Sequence, residues 1–161
     1  MHRRSLLFGA VLVFGLGGCV TTQPYVPQEI VKVVEIPGKS KDEIFTKSRQ
    51  WFSQYFVSGE SVVDYENQEA GTIIGNGIAE NGRDPFGLVA YDFHYNMRID
   101  IKDEKFRATT SITKHTNTDS KSTYDTSYVD DERKRKAEAK VSSVVEDLKN
   151  YIQSDKVNSD W

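Results

Sequence analysis

The sequence has one cysteine, three histidines and four prolines in 161 residues. A single cysteine excludes an internal disulfide and any cysteine-rich zinc site. Neither sign of charge dominates, since 21 Lys+Arg oppose 24 Asp+Glu for a formal net charge of −3. That balance argues against a nucleic-acid partner, which would require a basic surface. The longest apolar run, Leu6 to Leu16, is interrupted by Gly9 and Gly15. It is shorter than the roughly 20 residues that cross a bilayer as a helix. There is no G-x-S-x-G, no H-E-x-x-H and no Walker loop. Ile74-Gly75-Asn76-Gly77-Ile78 contains a G-x-G, but no third glycine and no helical pattern follow it, so it is not a dinucleotide fingerprint. What is present is ordinary globular composition, 37% hydrophobic and 28% charged, at the length of one domain.

The first residues read as an address. His2-Arg3-Arg4 is a positive leader, the Leu6–Leu16 run is its apolar centre, and small residues follow in Leu16-Gly17-Gly18-Cys19. This is the shape of a secretory signal. The segment closely resembles a bacterial lipobox, with Leu16 at the branched apolar position and Gly17-Gly18 at the small ones. The resemblance implies cleavage after Gly18 and acylation of Cys19, palmitate included, which would anchor the chain stably because more than one acyl chain is attached. Val20 rather than Asp after the cysteine implies sorting to the outer membrane, facing the periplasm. The expected organisation is a signal peptide over 1–18, a lipidated Cys19 and tether over 19–28, one α+β domain over 29–155, and a loose tail over 156–161. The tether, with Pro24 and Pro27 and no periodicity, reaches at most about 33 Å.

Within the domain, Ile30, Val31, Val33, Val34 and Ile36 form a β-branched strand, stopped by Pro37-Gly38. Ser40-Lys41-Asp42-Glu43 is a capping box. It opens a helix whose apolar stripe is Ile44, Phe45, Ser48, Trp51, Phe52, Tyr55 and Phe56, ending at Ser58-Gly59. Val62–Tyr65 and Gly71–Ala79 read as two strands. The glycines of the second hide its inward face, and alternation places Asn76 with Ile74 and Ile78. Asn81 to Gly87 reads as a loop. Lys114 to Val129, rich in Thr, Ser, Asp and Lys, reads as a polar loop or frayed strand extension. A second helix begins near Asp130-Asp131-Glu132 and buries Ala137, Val141, Val144, Val145, Leu148, Tyr151 and Ile152. Arg133, Lys134, Arg135, Lys136 and Lys140 cluster near its start. With acids beside them they read as a solvated helix surface.

The clearest pattern is strict alternation in Val89, Tyr91, Phe93, Tyr95, Met97, Ile99 and Ile101 against Asp92, His94, Asn96, Arg98, Asp100 and Lys102. Phe106, Ala108, Thr110 and Ile112 alternate in the next strand. A two-residue turn at Asp103-Glu104 pairs Ile101 with Phe106 and Ile99 with Ala108 on an apolar face. It pairs Asp100 with Arg107, Arg98 with Thr109, Asn96 with Ser111, His94 with Thr113 and Asp92 with His115 on a polar one. A one-residue slip would mix the faces, so register is well specified. Asp-Glu is not a favoured hairpin dipeptide, which leaves a longer turn of the same parity open.

Strand, helix, four strands, helix is the order of a TATA-binding-protein-like fold. Val33-Val34-Glu35-Ile36-Pro37-Gly38-Lys39-Ser40-Lys41-Asp42-Glu43, then Trp51-Phe52, then Glu69-Ala70-Gly71-Thr72-Ile73-Ile74-Gly75-Asn76-Gly77, resembles the bacterial envelope family described as a domain of unknown function with that fold. The resemblance covers roughly residues 29–115. It implies an antiparallel sheet covered on one face by two helices, and it implies no activity and no DNA binding.

Each helix has one apolar stripe, so two helices on one sheet face leave the other open. The expected binding surface is therefore Asp92, His94, Asn96, Arg98, Arg107, Thr109, Ser111 and Thr113. The expected protein is a lipid-anchored, non-enzymatic envelope protein with no cofactor, no metal and no nucleic acid, meeting the membrane through Cys19 and a protein partner through its domain. A structural accessory subunit of an envelope assembly is a second reading. A small metal-dependent hydrolase using His94, His115 and Asp92 is a third.

Overall fold

The computed structural model describes residues 27, 29–55, 63–126 and 129–154. The leader 1–18, Cys19, all of the tether except Pro27, Phe56 of the helix stripe, the helix end at Ser58-Gly59, Val62 and the 156–161 tail lie outside the described residues. Eight elements follow in order: β1 (Glu29–Glu35), α1 (Lys41–Tyr55), β2 (Val63–Asn67), β3 (Thr72–Arg83), β4 (Ala90–Lys102), β5 (Lys105–Thr118), β6 (Thr123–Thr126) and α2 (Asp131–Gln153). The strands form one antiparallel sheet in the order β1-β5-β4-β3-β2, with β6 also on β5. Among the described residues no helix is long and apolar enough to cross a membrane.

The sheet forms where side chains alternate. Phe93, Tyr95, Met97, Ile99 and Ile101 of β4 and Phe106, Ala108 and Ile112 of β5 all point into one core. Trp51, Phe52, Val144 and Leu148 enter it from the two helices, which therefore cover a single face. Ser40 and Glu43 bond reciprocally at the start of α1, Ser40 N to the Glu43 carboxylate at 2.9 Å and Glu43 N to the Ser40 hydroxyl at 3.3 Å. Asp130 caps α2 by accepting from Arg133 N at 2.8 Å.

The β4–β5 turn is the two-residue Asp103-Glu104, although Glu104 sits at φ 60. The segment before α1 holds it there. Ile36 N donates to Glu104 O at 2.7 Å, Glu104 N to Lys39 O at 2.9 Å, and Gly38 N to the Glu104 carboxylate at 3.0 Å. Asp103 accepts from Lys41 N at 2.8 Å, at the positive end of α1. Gly71 is required at its position: φ is 68, and a Cβ there would lie 2.6 Å from Ile101 O.

Three expectations need correction. Residues 81–83 are strand, not loop: Asn81 is buried, and its amide donates to Arg133 O at 2.8 Å, so tertiary bonding overrides the turn composition. Of the 114–129 segment, residues 114–118 are the strand extension, continuing β5, but the rest is not simply loop: β6 pairs back on β5 as a hairpin, giving five strands between the helices. Asp119 closes it by accepting from Lys121 N and Ser122 N at 2.7 and 2.9 Å. Lastly, β5 bulges. His94 pairs with Lys114 but Tyr95 with Ile112, so Thr113 is the extra residue and everything after it changes face. β3 also has a definite inward side: Ile73, Gly75, Gly77 and Asn81 are buried, which puts Ile74, Asn76 and Ile78 outward.

Candidate functional site: the uncovered face of the sheet

With α1 and α2 both on the core side, the opposite face carries the outward half of every alternation. Its centre is Asp100. Thr72 Oγ1 donates to it at 3.1 Å, Arg98 Nε at 2.9 Å and Arg107 at 2.8 Å. The Arg98 bond, opposed by burial and helped by Arg107 and Thr72, holds the Asp100 carboxyl down at about 2. Its charge is thus fixed, and it orients both guanidinium groups. Beside it a polar ladder crosses three strands, from Asp64 through Asn76 to Asn96; Asn96 Nδ2 donates to Asn76 Oδ1 at 2.9 Å, and Asn76 Nδ2 donates to Asp64. Thr109 and Ser111 pair with Arg98 and Asn96 respectively.

The half of this face nearest the β4–β5 turn is basic. Arg98, Lys102, Lys105 and Arg107 stand on it against Asp100 and Glu35. A depression of about 290 Å³ opens there between Val33, Asp100, Lys102, Lys105, Phe106 and Arg107. Val31 and Val33 on the edge strand β1 are 55% and 61% exposed, so an apolar border runs beside the cations.

The other half holds a depression of about 460 Å³ lined by residues including Asp92, His94, Lys114, Thr116, Thr118 and Asp125. Thr118 donates to Asp92 at 3.4 Å, and Thr116 Oγ1 lies 3.5 Å from His94 Nε2. Burial first, then Glu80, raises the Asp92 carboxyl above its usual range. Thr113, the bulged residue, is exposed, and its hydroxyl donates to His94 O at 3.2 Å.

His115 does not join them. The bulge turns it to the core side, where it is 4% exposed, pairs with Phe93 and has its ring 6.2 Å from that ring. Burial, then Arg133 and Lys134, push its imidazole down to about 4. A trio of His94, His115 and Asp92 is therefore not assembled, because the sheet itself lies between the two imidazoles. Among the described residues no three His, Cys, Asp or Glu side chains converge to hold a metal ion. Three cations of the basic run of α2 are paired with acids of its first turn and cap: Arg133 with Asp130 at 2.7 Å, Lys134 with Asp131 at 3.6 Å and Lys136 with Glu132 at 2.7 Å.

Asp100, Asn76, Thr116, Thr118 and the valines of β1 complete the face, although the expected binding surface does not include them. Parity flags Asp100 and the valines. Thr116 and Thr118 depend on the bulge, which parity alone does not show.

The family model for a domain of unknown function (DUF4468) with TBP-like fold matches residues 31–115, more than half of the chain. The chain belongs to the DUF4468 family. A DUF4468 family protein from Bacteroides ovatus is similar in structure, with TM-score 0.61 and 16% identity over 84% of this chain and 92% of that one. A TBP-like protein from Parabacteroides distasonis has TM-score 0.60 and 19% identity over 83% of this chain and 99% of that one. At these identities the likeness concerns the fold. No curated protein sequence matches the chain. The DUF4468 match ends at His115, so β6 and α2 lie beyond it.

Proposed function

We propose that this DUF4468 protein is a lipid-anchored envelope protein whose uncovered sheet face binds a partner protein, without catalysis, through an acidic and apolar segment of that partner. The observation that carries the reading is the juxtaposition of Arg98, Lys102, Lys105 and Arg107 with exposed Val31 and Val33 on one uncovered face. Fixed cations beside apolar surface favour carboxylates flanked by aliphatic side chains, and they specify the partner through charge complementarity. The anchor is supported by Leu16-Gly17-Gly18-Cys19. A structural subunit without a dedicated binding face is the alternative outcome.

The test reverses charge without touching the Asp100 clamp. Lys102 and Lys105 are exposed and stand opposite each other. Replacing both by glutamate keeps a like-charge pair between positions 102 and 105 but sets position 105 against Glu35 with like charge, so folding stability should fall by about 1 kcal/mol, which leaves the fold intact for the comparison. After membrane solubilisation the wild type should co-purify with a stoichiometric partner and K102E/K105E should lose it. Retention of the complex by the double variant contradicts the reading.

A further inference from the structure

The β3–β4 loop presents the two most exposed large apolar side chains among the described residues. Phe86 is 83% and Leu88 71% exposed. The loop that carries them is ordered by its own bonds. Asp84 N donates to Val89 O at 2.9 Å, Gly87 N to Asp84 O at 2.9 Å, and Val89 N to the Asp84 carboxylate at 2.8 Å. Pro85 and Gly87, the latter at φ 71, fit such a turn. Between Asp84 and the strand, Pro85-Phe86-Gly87-Leu88-Val89 has no charge. The Asp84 carboxylate is turned to the backbone, and the Val89 N–H bond holds its pKa below the usual range.

The tip lies at the end of the sheet where β1 begins. β1 runs from Ser111 towards Lys105, so its first residue, Glu29, is on the Thr118 side. Thr118 pairs with Ala90, at the foot of the tip. From Ser111 to Thr118 is about 23 Å along β5 at roughly 3.3 Å per residue. The ten-residue tether from Cys19 spans up to about 33 Å. An acylated Cys19 and the tip can therefore meet one plane.

We infer that Phe86 and Leu88 form a second, non-covalent membrane contact, inserting into the headgroup–acyl boundary of the bilayer that holds Cys19. This rests on the lipid-anchor reading above. A tip with two exposed apolar side chains and no charge, within reach of the acyl anchor, suits the boundary of a bilayer. Its preformed turn means that insertion orders little further backbone. Because the tip itself is uncharged, neutral lipid should suffice and salt should not weaken the contact. With the tip down, the β4–β5 turn and its basic surface point away from the bilayer, which leaves the uncovered face accessible.

The test uses the full lipidated chain in phosphatidylcholine vesicles. A single environment-sensitive fluorophore is attached at Leu88→Cys, or at Lys102→Cys at the far end of the sheet; Cys19, blocked by its lipid, does not react. The expected result is a blue-shifted emission at position 88, quenched by brominated acyl chains and unchanged in high salt, with a water-like spectrum at position 102. Adding Phe86→Asp should reduce the shift at 88. Mass spectrometry of the same sample reports whether Cys19 carries lipid. A lipidated, vesicle-bound chain with a water-like spectrum at 88 overturns this inference while leaving the anchor intact. A shift at 88 without vesicles, growing with protein concentration, overturns it in favour of a second copy covering the tip. A chain without lipid at Cys19 overturns both readings.

Discussion

The Trp51 indole donates its N–H to the Asp147 carboxylate at 2.8 Å, linking α1 to α2 above the core. Trp51 is buried, stacks on Tyr55 with ring centroids 4.5 Å apart and meets Phe52 edge-on at 5.3 Å. Its single polar atom is met by Asp147. The Asp147→Ala variant should lose about 1–3 kcal/mol, since a buried donor is left without its acceptor. Equilibrium urea unfolding at neutral pH checks this. An unchanged midpoint would mean that the indole finds another acceptor and that the bond does not join the helices.

Glu104 supports a second expectation. Its left-handed backbone costs an L-residue about 1–2 kcal/mol, and its carboxylate offsets that by accepting from Gly38 N at 3.0 Å. Glu104→Ala and Glu104→Gly both remove the carboxylate, but only glycine removes the strain. The glycine variant should therefore be more stable than the alanine variant by about 1–2 kcal/mol. Thermal unfolding of the pair decides it, and an alanine variant at least as stable as the glycine one contradicts the account.

His115 and Asp100 divide the acid response into two windows. Folding lowers the His115 pKa from 6.5 to about 4, so between those values the unfolded chain binds a proton that the folded chain does not. Stability from this group should fall as pH drops through that interval, by at most about 1.4 kcal/mol per pH unit. It should be insensitive to pH above the window. Asp100 is lowered from 3.8 to about 2, so its stabilisation is fully present above 3.8 and is lost as pH falls towards 2. Replacing His115 by Leu should flatten the stability profile between pH 6.5 and 4 while leaving the lower window unchanged. A profile that keeps its full slope in the upper window would place the titration elsewhere.

The same histidine marks where the sequence stops being legible. From Val89 to Ile101 every second residue is apolar, Phe106, Ala108 and Ile112 continue the same face after the turn, and a one-residue slip would expose the whole set, so pairing is pinned. After Ile112 the chain reads Thr113-Lys114-His115-Thr116-Asn117-Thr118. No aliphatic side chain there penalises a bulge, and the polar-face assignment of His115 fails at that step. The inward face of β3 is hidden for a related reason. Gly75 and Gly77 are buried, and their inward positions carry no side chain to announce it. β6 is short and polar, and its existence depends on the Asp119 turn and on pairing with β5. The capping box, both helix stripes and the central hairpin are legible because each is a local pattern that the core then rewards.

The uncovered face is legible as a face and much less so as a site. Asp92, His94, Asn96, Arg98 and Arg107 follow from parity. Their grouping into a basic half beside β1 and a second depression beside β6 follows from strand order, which places β1 and β6 on the same side of β5. Strand order is a tertiary property with no local signature.

Site-specific photocrosslinking in intact cells tests the central claim most directly. A photoreactive amino acid is placed at Val33, on the apolar border of the uncovered face, and separately at Asn150, exposed on α2. The account predicts one discrete protein adduct from position 33, lost in K102E/K105E, and none from position 150. Equal adducts from both positions, or an adduct from 150 alone, would contradict the claim that the open sheet face is where this protein meets its partner.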